Sequence, residues 1–140
     1  MSDALQALVE ETLAATQGSR VTLRVDTPGA VFPVVAEACA AGVRPIRDAT
    51  EIDLRAAATF QWLAREHRTL VQRDCLRDEP VAPQALADLY GVRAQILAPL
   101  VRDGRLVGIV SVHHAATPRV WAPSEVAAAE SAARRALALL

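Results

Sequence analysis

The stretch Leu86–His114 constrains the fold of this chain more than any other, because it predicts a complete β-hairpin. Gly91 follows a short helical segment, where a glycine lets the chain leave a helix in a left-handed conformation. Arg93–Val101 and Leu106–His114 are rich in branched aliphatic residues, and Arg102–Arg105 between them has Asp-Gly at its centre. Both arms are apolar at almost every position, which is typical of strands covered on two faces. The hairpin is therefore expected in the middle of a layered domain.

Pro99 lies inside the first arm of this hairpin. A proline has no N–H to donate to a neighbouring strand, so we expect a bulge or an unpaired edge at that point.

The segments around the hairpin alternate between helical and extended patterns. Apolar spacing predicts helices over Asp3–Ala15, Asp53–Arg65, Gln84–Tyr90 and Pro123–Leu140, strands over Arg20–Asp26, Val31–Ala38 and Leu70–Gln72, and a loop over Cys75–Pro83. The stretch Ala36–Ala41 could equally be helical. Ala122 is expected to precede the last helix without a capping hydroxyl, which costs about 1 kcal/mol at the helix start. Terminal helices that flank a central sheet indicate a three-layer α/β/α or α+β domain.

Composition limits the classes of protein to which the chain can belong. Its 140 residues support one domain, taken as 1–140, and a net charge of −1 argues against a nucleic-acid surface. All the basic residues are arginine, so a Schiff-base lysine and a phosphate-loop lysine are excluded. No apolar run is long enough for a membrane span, and Met1-Ser2-Asp3 is unlike a signal peptide. With two widely separated cysteines, Cys39 and Cys75, we expect a reduced, cytoplasmic protein.

Five short motifs in the second half of the chain resemble the GAF domain family. They are Tyr-Gly-Val-Arg-Ala from Tyr90, Leu-Ala-Pro-Leu-Val from Leu97, Asp-Gly-Arg-Leu-Val-Gly from Asp103, Ser-Val-His-His from Ser111 and Trp-Ala-Pro-Ser-Glu-Val from Trp121. The resemblance is specific over about Arg68–Ala138. It implies a small regulatory module with a mainly antiparallel sheet, the first and last helices packed together on one face, and a ligand pocket on the other face.

The terminal helices also suggest an assembly. Their apolar stripes, Leu5/Leu8/Thr12 and Val126/Ala133/Leu140, are small, and they could meet a second subunit as a helical bundle. The alternative is that they only cover their own sheet. We expect a homodimer formed through these helices.

Strand alternation identifies a candidate binding site. Side chains two residues apart share a face, so Arg24 lies beside Thr22, and Ser111 lies beside His113. If their strands are neighbours, Arg24, Gln95, Ser111 and His113 could form a polar patch on an otherwise apolar sheet. The middle segment would supply the walls of a pocket, for which the candidates are Phe60, Trp62, Arg73, Asp74, Cys75 and Tyr90.

Arginine and histidine favour a small polar or anionic ligand, since Arg24 can form two hydrogen bonds to a carboxylate or phosphate. The structural alternative is that Arg24 pairs with Asp26 or Asp74 and fills the space itself. The sequence indicates no cofactor and no metal, because His113 and His114 are adjacent on a strand and must point to opposite faces.

Three classes of function therefore compete. The preferred hypothesis is a stand-alone sensory module that binds a small molecule and acts through a protein partner or its dimer. The second is a small enzyme in which Cys75, with Asp74 and His113, supplies a nucleophile, an orienting acid and a base, as GAF-like methionine sulfoxide reductases use cysteines. The third is an interaction adaptor with no fillable pocket and a large apolar surface.

Overall fold

The structure is a computed structural model that describes residues 2–29, 31–49 and 52–140. Its elements, in chain order, are α1 (Ser2–Thr16), β1 (Arg20–Val25), β2 (Val34–Cys39), α2 (Ala58–Glu66), β3 (Leu70–Gln72), α3 (Gln84–Tyr90), β4 (Val92–Arg102), β5 (Arg105–Ala115) and α4 (Pro123–Leu139). The bounds of β3 and α3 are those expected from the sequence. Within the described residues, none of the helices combines the length and the apolar character needed to cross a bilayer.

The five strands form one antiparallel sheet in the order β2-β1-β5-β4-β3. The β4–β5 hairpin occupies the middle and the fourth position of the sheet, as its apolar character predicts. With helices on both sides of an open antiparallel sheet, the domain is α+β in three layers. This confirms the predicted fold class.

The turn of the hairpin follows from its two central residues. Asp103 has φ 54° and Gly104 has φ 73°, so both lie in the left-handed region. Two successive residues with positive φ make the type I′ turn that matches the twist of paired strands, and Asp-Gly is among its preferred sequences. The local sequence therefore fixes the register of β4 and β5.

Pro99 is accommodated as expected. It pairs with Ile109 on one side, but β3 pairs with β4 only from Gln95 to Leu97, so the outer edge of β4 is free at the proline. The β4–β5 register also shifts between Leu100 and Val101. An unpaired edge and a nearby bulge remove the need for a hydrogen-bond donor at this position.

Two segments differ from their expected structure. The helix expected from Asp53 begins only at Ala58, because the Asp53 side chain accepts the Arg55 N–H at 3.2 Å and forms a local turn that competes with the helix. Ala36–Ala41 does not adopt its helical alternative. Instead β2 is extended through Cys39, and Ala36 pairs with Leu23 of β1.

The terminal helices α1 and α4 pack together on one face of the sheet, where the largest apolar cluster lies. Leu5, Leu8, Thr12 and Ala133 of the predicted dimer stripes are buried against this sheet. The alternative that these stripes cover their own sheet therefore describes these four side chains. Dimerisation remains a prediction, and it would have to use the outward surface of the helices.

The opposite face is covered less completely, by α2, α3 and the loops between strands. Phe32 and Phe60 meet edge to face with ring centroids 5.2 Å apart, within an apolar cluster that includes Leu97 and Ile109. A second cluster joins Ile46, Cys75, Tyr90 and Val92. The side chains of the described residues leave a space between the two clusters.

Candidate functional site

A cavity of about 570 Å³ lies between the sheet and these covering segments. Its volume is within the range of roughly 300–1,000 Å³ that is typical of small-molecule sites. Most of its lining is apolar. The wall residues include Val34, Ile46, Ile52, Leu54, Phe60, Leu86, Tyr90 and Leu97, and the polar floor is formed by Arg24, Gln95, Ser111 and His113.

Two floor residues, His113 and Gln95, belong to a polar row that crosses all five strands. The antiparallel registers place Cys39, Arg20, His113, Gln95 and Gln72 side by side, one from each strand. Residues opposite each other in such a ladder have Cβ atoms about 4.5–5.5 Å apart, so their side chains can interact directly. The strand order thus brings together groups that are far apart in the sequence.

His113 is held by the buried Arg20. Arg20 donates from Nη1 to His113 Nδ1 at 3.1 Å, and His113 is only 5% exposed. Burial, and then the positive charges of Arg20 and Arg24, hold the pKa of His113 well below its usual 6.5. The imidazole is therefore neutral at physiological pH.

Arg24 lines the cavity and donates from NH1 to the Phe32 carbonyl at 2.9 Å. The two carboxylates expected to pair with Arg24 form ion pairs with other arginines. Asp26 Oδ1 lies 3.6 Å from Arg55 Nη2, and Asp74 Oδ2 lies 3.0 Å from Arg93 Nη2. Among residues 2–29, 31–49 and 52–140, no carboxylate forms an ion pair with Arg24. The self-filling alternative is thus not adopted, and burial lowers the pKa of Arg24 without removing its charge.

Gln95 is oriented through Gln72. Gln72 donates from Nε2 to the carbonyls of Asp78 and Pro80 at 3.0 and 2.6 Å, which leaves its oxygen to accept from Gln95 Nε2 at 2.7 Å. This chain of bonds fixes both amide orientations. It leaves Gln95 Oε1 as an acceptor on the cavity floor.

Thr22 and Ser111 face each other on β1 and β5 on the same side of the sheet. Ser111 lines the cavity, whereas Thr22 is fully buried and does not. The Thr22 hydroxyl has no hydrogen-bond partner among the described residues. The four residues expected to form the polar patch, Arg24, Gln95, Ser111 and His113, therefore all line the cavity, whereas Thr22 beside Arg24 does not.

Phe60 and Tyr90 line the cavity as expected, whereas the other four wall candidates, Trp62, Arg73, Asp74 and Cys75, do not. Trp62 is half-buried beside the Phe60 cluster, and the Arg68 guanidinium lies over its ring at 5.0 Å. Asp74 binds Arg93 and lies 3.8 Å from Arg77, and the Arg93 hydrogen bond is the main cause of its lowered pKa. Neither residue lines the cavity.

Cys75 lies outside the cavity too, packed against Ile46 and Tyr90. Burial, and then the charge of Asp74, raise the pKa of its thiol to about 11. A thiolate is therefore disfavoured, while Cys75 Sγ lies 3.6 Å from the Val92 carbonyl.

As expected, His113 and His114 face opposite sides of the sheet. His113 lines the cavity, whereas the centroid of the His114 ring lies 6.4 Å from that of Trp121.

Several residues that shape the site do not stand out in the sequence. Arg20 donates from Nε and Nη2 to the Arg44 carbonyl at 3.1 and 2.6 Å. Its Nη2 also donates to the Tyr90 carbonyl at 3.4 Å. Glu37 lies 4.0 Å from Arg20 and accepts the Ile46 N–H at 2.8 Å. Strand alternation from Arg24 would have placed Arg20 on the same face. A charge at the end of a strand is, however, usually solvated.

Comparison with known proteins agrees with this architecture. The family model of the GAF domain matches residues 1–139. The chain belongs to the GAF domain family. The match therefore extends the resemblance seen in the second half of the sequence to the first half as well. None of the proteins with curated descriptions matches the chain.

Solved GAF domains share the fold. The blue-light absorbing form of the Thermosynechococcus elongatus PixJ GAF domain has 23% identity and a TM-score of 0.74, over 99% of this chain and 85% of that one. The green light-absorbing state of TePixJ, a cyanobacteriochrome domain, has 25% identity and a TM-score of 0.79 over the same shares. The chromophore-binding domain of an R. palustris bacteriophytochrome has 20% identity and a TM-score of 0.77, over 99% and 54%.

Proposed function

We propose that this GAF domain is a sensory module whose cavity binds a small polar or anionic molecule with an apolar body. The observation that carries the proposal is Arg24, a guanidinium without a carboxylate partner in the described chain, on the floor of an apolar cavity of about 570 Å³. An uncompensated charge in apolar surroundings is costly, and an incoming anion would offset that cost.

The charges beneath the cavity favour the same kind of ligand. Arg20 and Arg24 both disfavour a proton on His113, so both place positive charge at the floor, while Asp48 and Asp53 also line the cavity. A positive potential in a low-dielectric cleft attracts anions. Glu37 lies 4.0 Å from Arg20 and also acts on Arg24, so it offsets part of both charges without forming an ion pair with Arg24.

Similar structures support a bound small molecule without specifying it. The relatives named above are described as chromophore-binding or light-absorbing domains. In this chain the residues lining the cavity include neither cysteine, and the sequence has no lysine. The proposed ligand is thus held without a covalent bond to a thiol or an amine.

The two alternatives have weaker support. An adaptor was expected to have no fillable pocket, so the cavity favours a receptor. An enzyme acting through Cys75 would need an accessible thiolate, whereas this thiol is buried, has a raised pKa and does not line the cavity.

A fluorescent anion tests the proposal. We expect 1-anilinonaphthalene-8-sulfonate, an aromatic sulfonate, to bind the folded protein with an increase in fluorescence. Arg24→Gln should weaken this binding about tenfold or more, because a charge-assisted hydrogen bond contributes roughly 1.5–3 kcal/mol. Ser111→Leu should also reduce binding, since the larger side chain would occupy the floor.

Arg68→Gln is the matched control, because the Arg68 side chain is 69% exposed and lies over Trp62, outside the cavity. Each variant is compared by its urea midpoint, so that dye binding to a loosened state is recognised. Absence of binding to the wild type, or equal losses in Arg24→Gln and Arg68→Gln, would contradict the proposal.

A further inference from the structure

The hydrogen bond between Arg20 and His113 constrains the histidine more strongly than an ordinary contact. An arginine guanidinium is always protonated in proteins and has donors only. Since Arg20 Nη1 lies 3.1 Å from His113 Nδ1, the histidine nitrogen Nδ1 must be the acceptor. The proton of the neutral imidazole is then on Nε2.

The remaining nitrogen is open to the cavity. His113 lines the cavity, and its Nε2 has no hydrogen-bond partner in the described part of the chain. In that part of the chain, two polar side-chain atoms are completely covered and also lack a hydrogen-bond partner, namely Thr22 Oγ1 and Arg93 Nε. His113 Nε2 is not one of them, so it is not completely covered. The histidine can therefore offer its one N–H to a molecule in the cavity.

Arg20 itself has little freedom to change partner. Its side chain is 2% exposed, and it donates three further bonds to the carbonyls of Arg44 and Tyr90. Glu37 at 4.0 Å is its nearest acid, and Glu37 in turn holds the backbone of Ile46. The same arginine thus anchors two segments that border the cavity, in addition to His113.

We propose that Arg20 is a positioning residue that locks His113 as a neutral Nε2–H donor facing the cavity, so that the ligand atom above His113 must be a hydrogen-bond acceptor. The requirement on the ligand rests on the proposed function, but the state of His113 in the free protein does not. A ligand that placed its own N–H or O–H donor at this point would leave two donors facing each other in a buried site, which is strongly disfavoured.

Nitrogen-15 NMR of the histidine side chains measures the tautomer of His113 directly in the wild-type protein. We expect His113, assigned with His113→Gln, to show an unprotonated Nδ1 and a protonated Nε2 that persist from about pH 8 to about pH 5.5. The exposed His67 serves as the internal comparison. A proton on His113 Nδ1, or a doubly protonated ring in this range, would overturn the proposal.

A double variant tests whether Arg20 is the cause. Arg20→Met combined with Glu37→Gln removes both buried charges together, because deleting only one partner leaves an unpaired ion. We expect the single tautomer of His113 to be replaced by a mixture of both neutral tautomers. If the double variant is folded and keeps the same single tautomer, Arg20 is not the positioning residue. The wild-type measurement decides the tautomer even if the double variant does not fold.

The two proposals can fail separately. Binding of the naphthalene sulfonate together with the wrong tautomer of His113 would overturn the role of Arg20 and leave the receptor in place. The expected tautomer without any dye binding would overturn the receptor, and with it the requirement on the ligand.

Discussion

The polar residues on the cavity floor differ in how firmly they are fixed. His113 and Gln95 are each held by a neighbour in the cross-sheet row, whereas the one hydrogen bond of Arg24 within the described residues is to the Phe32 carbonyl. Buried polar groups that are fully satisfied restrict a site to one geometry. We infer that His113 and Gln95 set the shape of the floor, while Arg24 retains donors for an incoming group.

At the scale of this single residue, His113 should make stability depend on pH. Its folded pKa is lowered by burial and by Arg20 and Arg24, so below pH 6.5 the unfolded chain binds a proton that the folded chain does not. The free energy of unfolding therefore falls as the pH decreases below this value, by up to about 1.4 kcal/mol per pH unit. Urea titrations between about pH 7 and pH 5 measure the slope.

His113→Gln should make this slope shallower, since glutamine can still accept a hydrogen bond from Arg20 but does not titrate. His67→Gln, which changes a histidine at an exposed position, is the matched control. His114 contributes in the same direction, because burial and then Arg119 lower its pKa as well. An equal slope in wild type and His113→Gln would contradict the prediction.

At the scale of the element, α4 lacks half of its N-terminal cap. Glu125 accepts the Ala122 N–H at 2.7 Å, which is one bond of a capping box. Ala122 has no side-chain oxygen to complete the box, and the Glu125 N–H donates instead to the Ala122 backbone carbonyl at 2.9 Å. The backbone of Ala122 is already extended, with φ −72° and ψ 149°, as a capping residue requires. The helix start is thus ready for a hydroxyl that the sequence does not provide.

Ala122→Ser should therefore increase the free energy of unfolding by about 1 kcal/mol, because the serine hydroxyl can accept a hydrogen bond from the Ser124 or Glu125 N–H in the first turn. Urea denaturation measures the change. Ala127→Ser, at an exposed position within the same helix, should give no gain, because serine is a poorer helix former than alanine. Equal effects of the two substitutions would contradict the capping explanation.

At the scale of the whole molecule, the sheet separates two kinds of packing. The face under α1 and α4 is a continuous apolar core, and the other face combines two smaller clusters with the cavity. Arg119 ties the first face together, since it donates to the carbonyls of Thr16 and Gln17 and binds Glu125. The terminal helices are thus joined at one end, away from the cavity floor.

The homodimer through these helices is the prediction at this scale. Sedimentation velocity should give twice the chain mass of 14.9 kDa. Since Leu5, Leu8 and Thr12 of the α1 stripe face the core, the exposed Ala7 is a suitable contact position on this helix. Ala7→Arg should weaken the dimer without changing the urea midpoint. Ala64→Arg, on the exposed surface of α2, is the control. A monomer at every concentration, or equal effects of the two variants, would contradict the prediction.

The sequence by itself determined the elements and the family. Local signals sufficed for the hairpin, because Asp103-Gly104 selects its turn, and for α3, because Gly91 ends it with φ 71°. Alternation also placed Arg24, Ser111 and His113 on one face. Helical geometry also predicts that Trp62 and Phe60 lie on different faces of their helix, because side chains two residues apart differ in direction by about 200°.

Only the tertiary structure decided what these side chains do. Arg20 and His113 are 93 positions apart in the chain, and their bond exists because β1 pairs with β5 in one particular register. Asp74 is withdrawn from the cavity by Arg93, a partner that its neighbours in sequence do not predict. Short-range patterns specify φ, ψ and the buried face of each element, whereas the long-range register chooses partners for charged groups. That choice is what leaves Arg24, at the cavity, without an ion pair to any carboxylate that the structure describes.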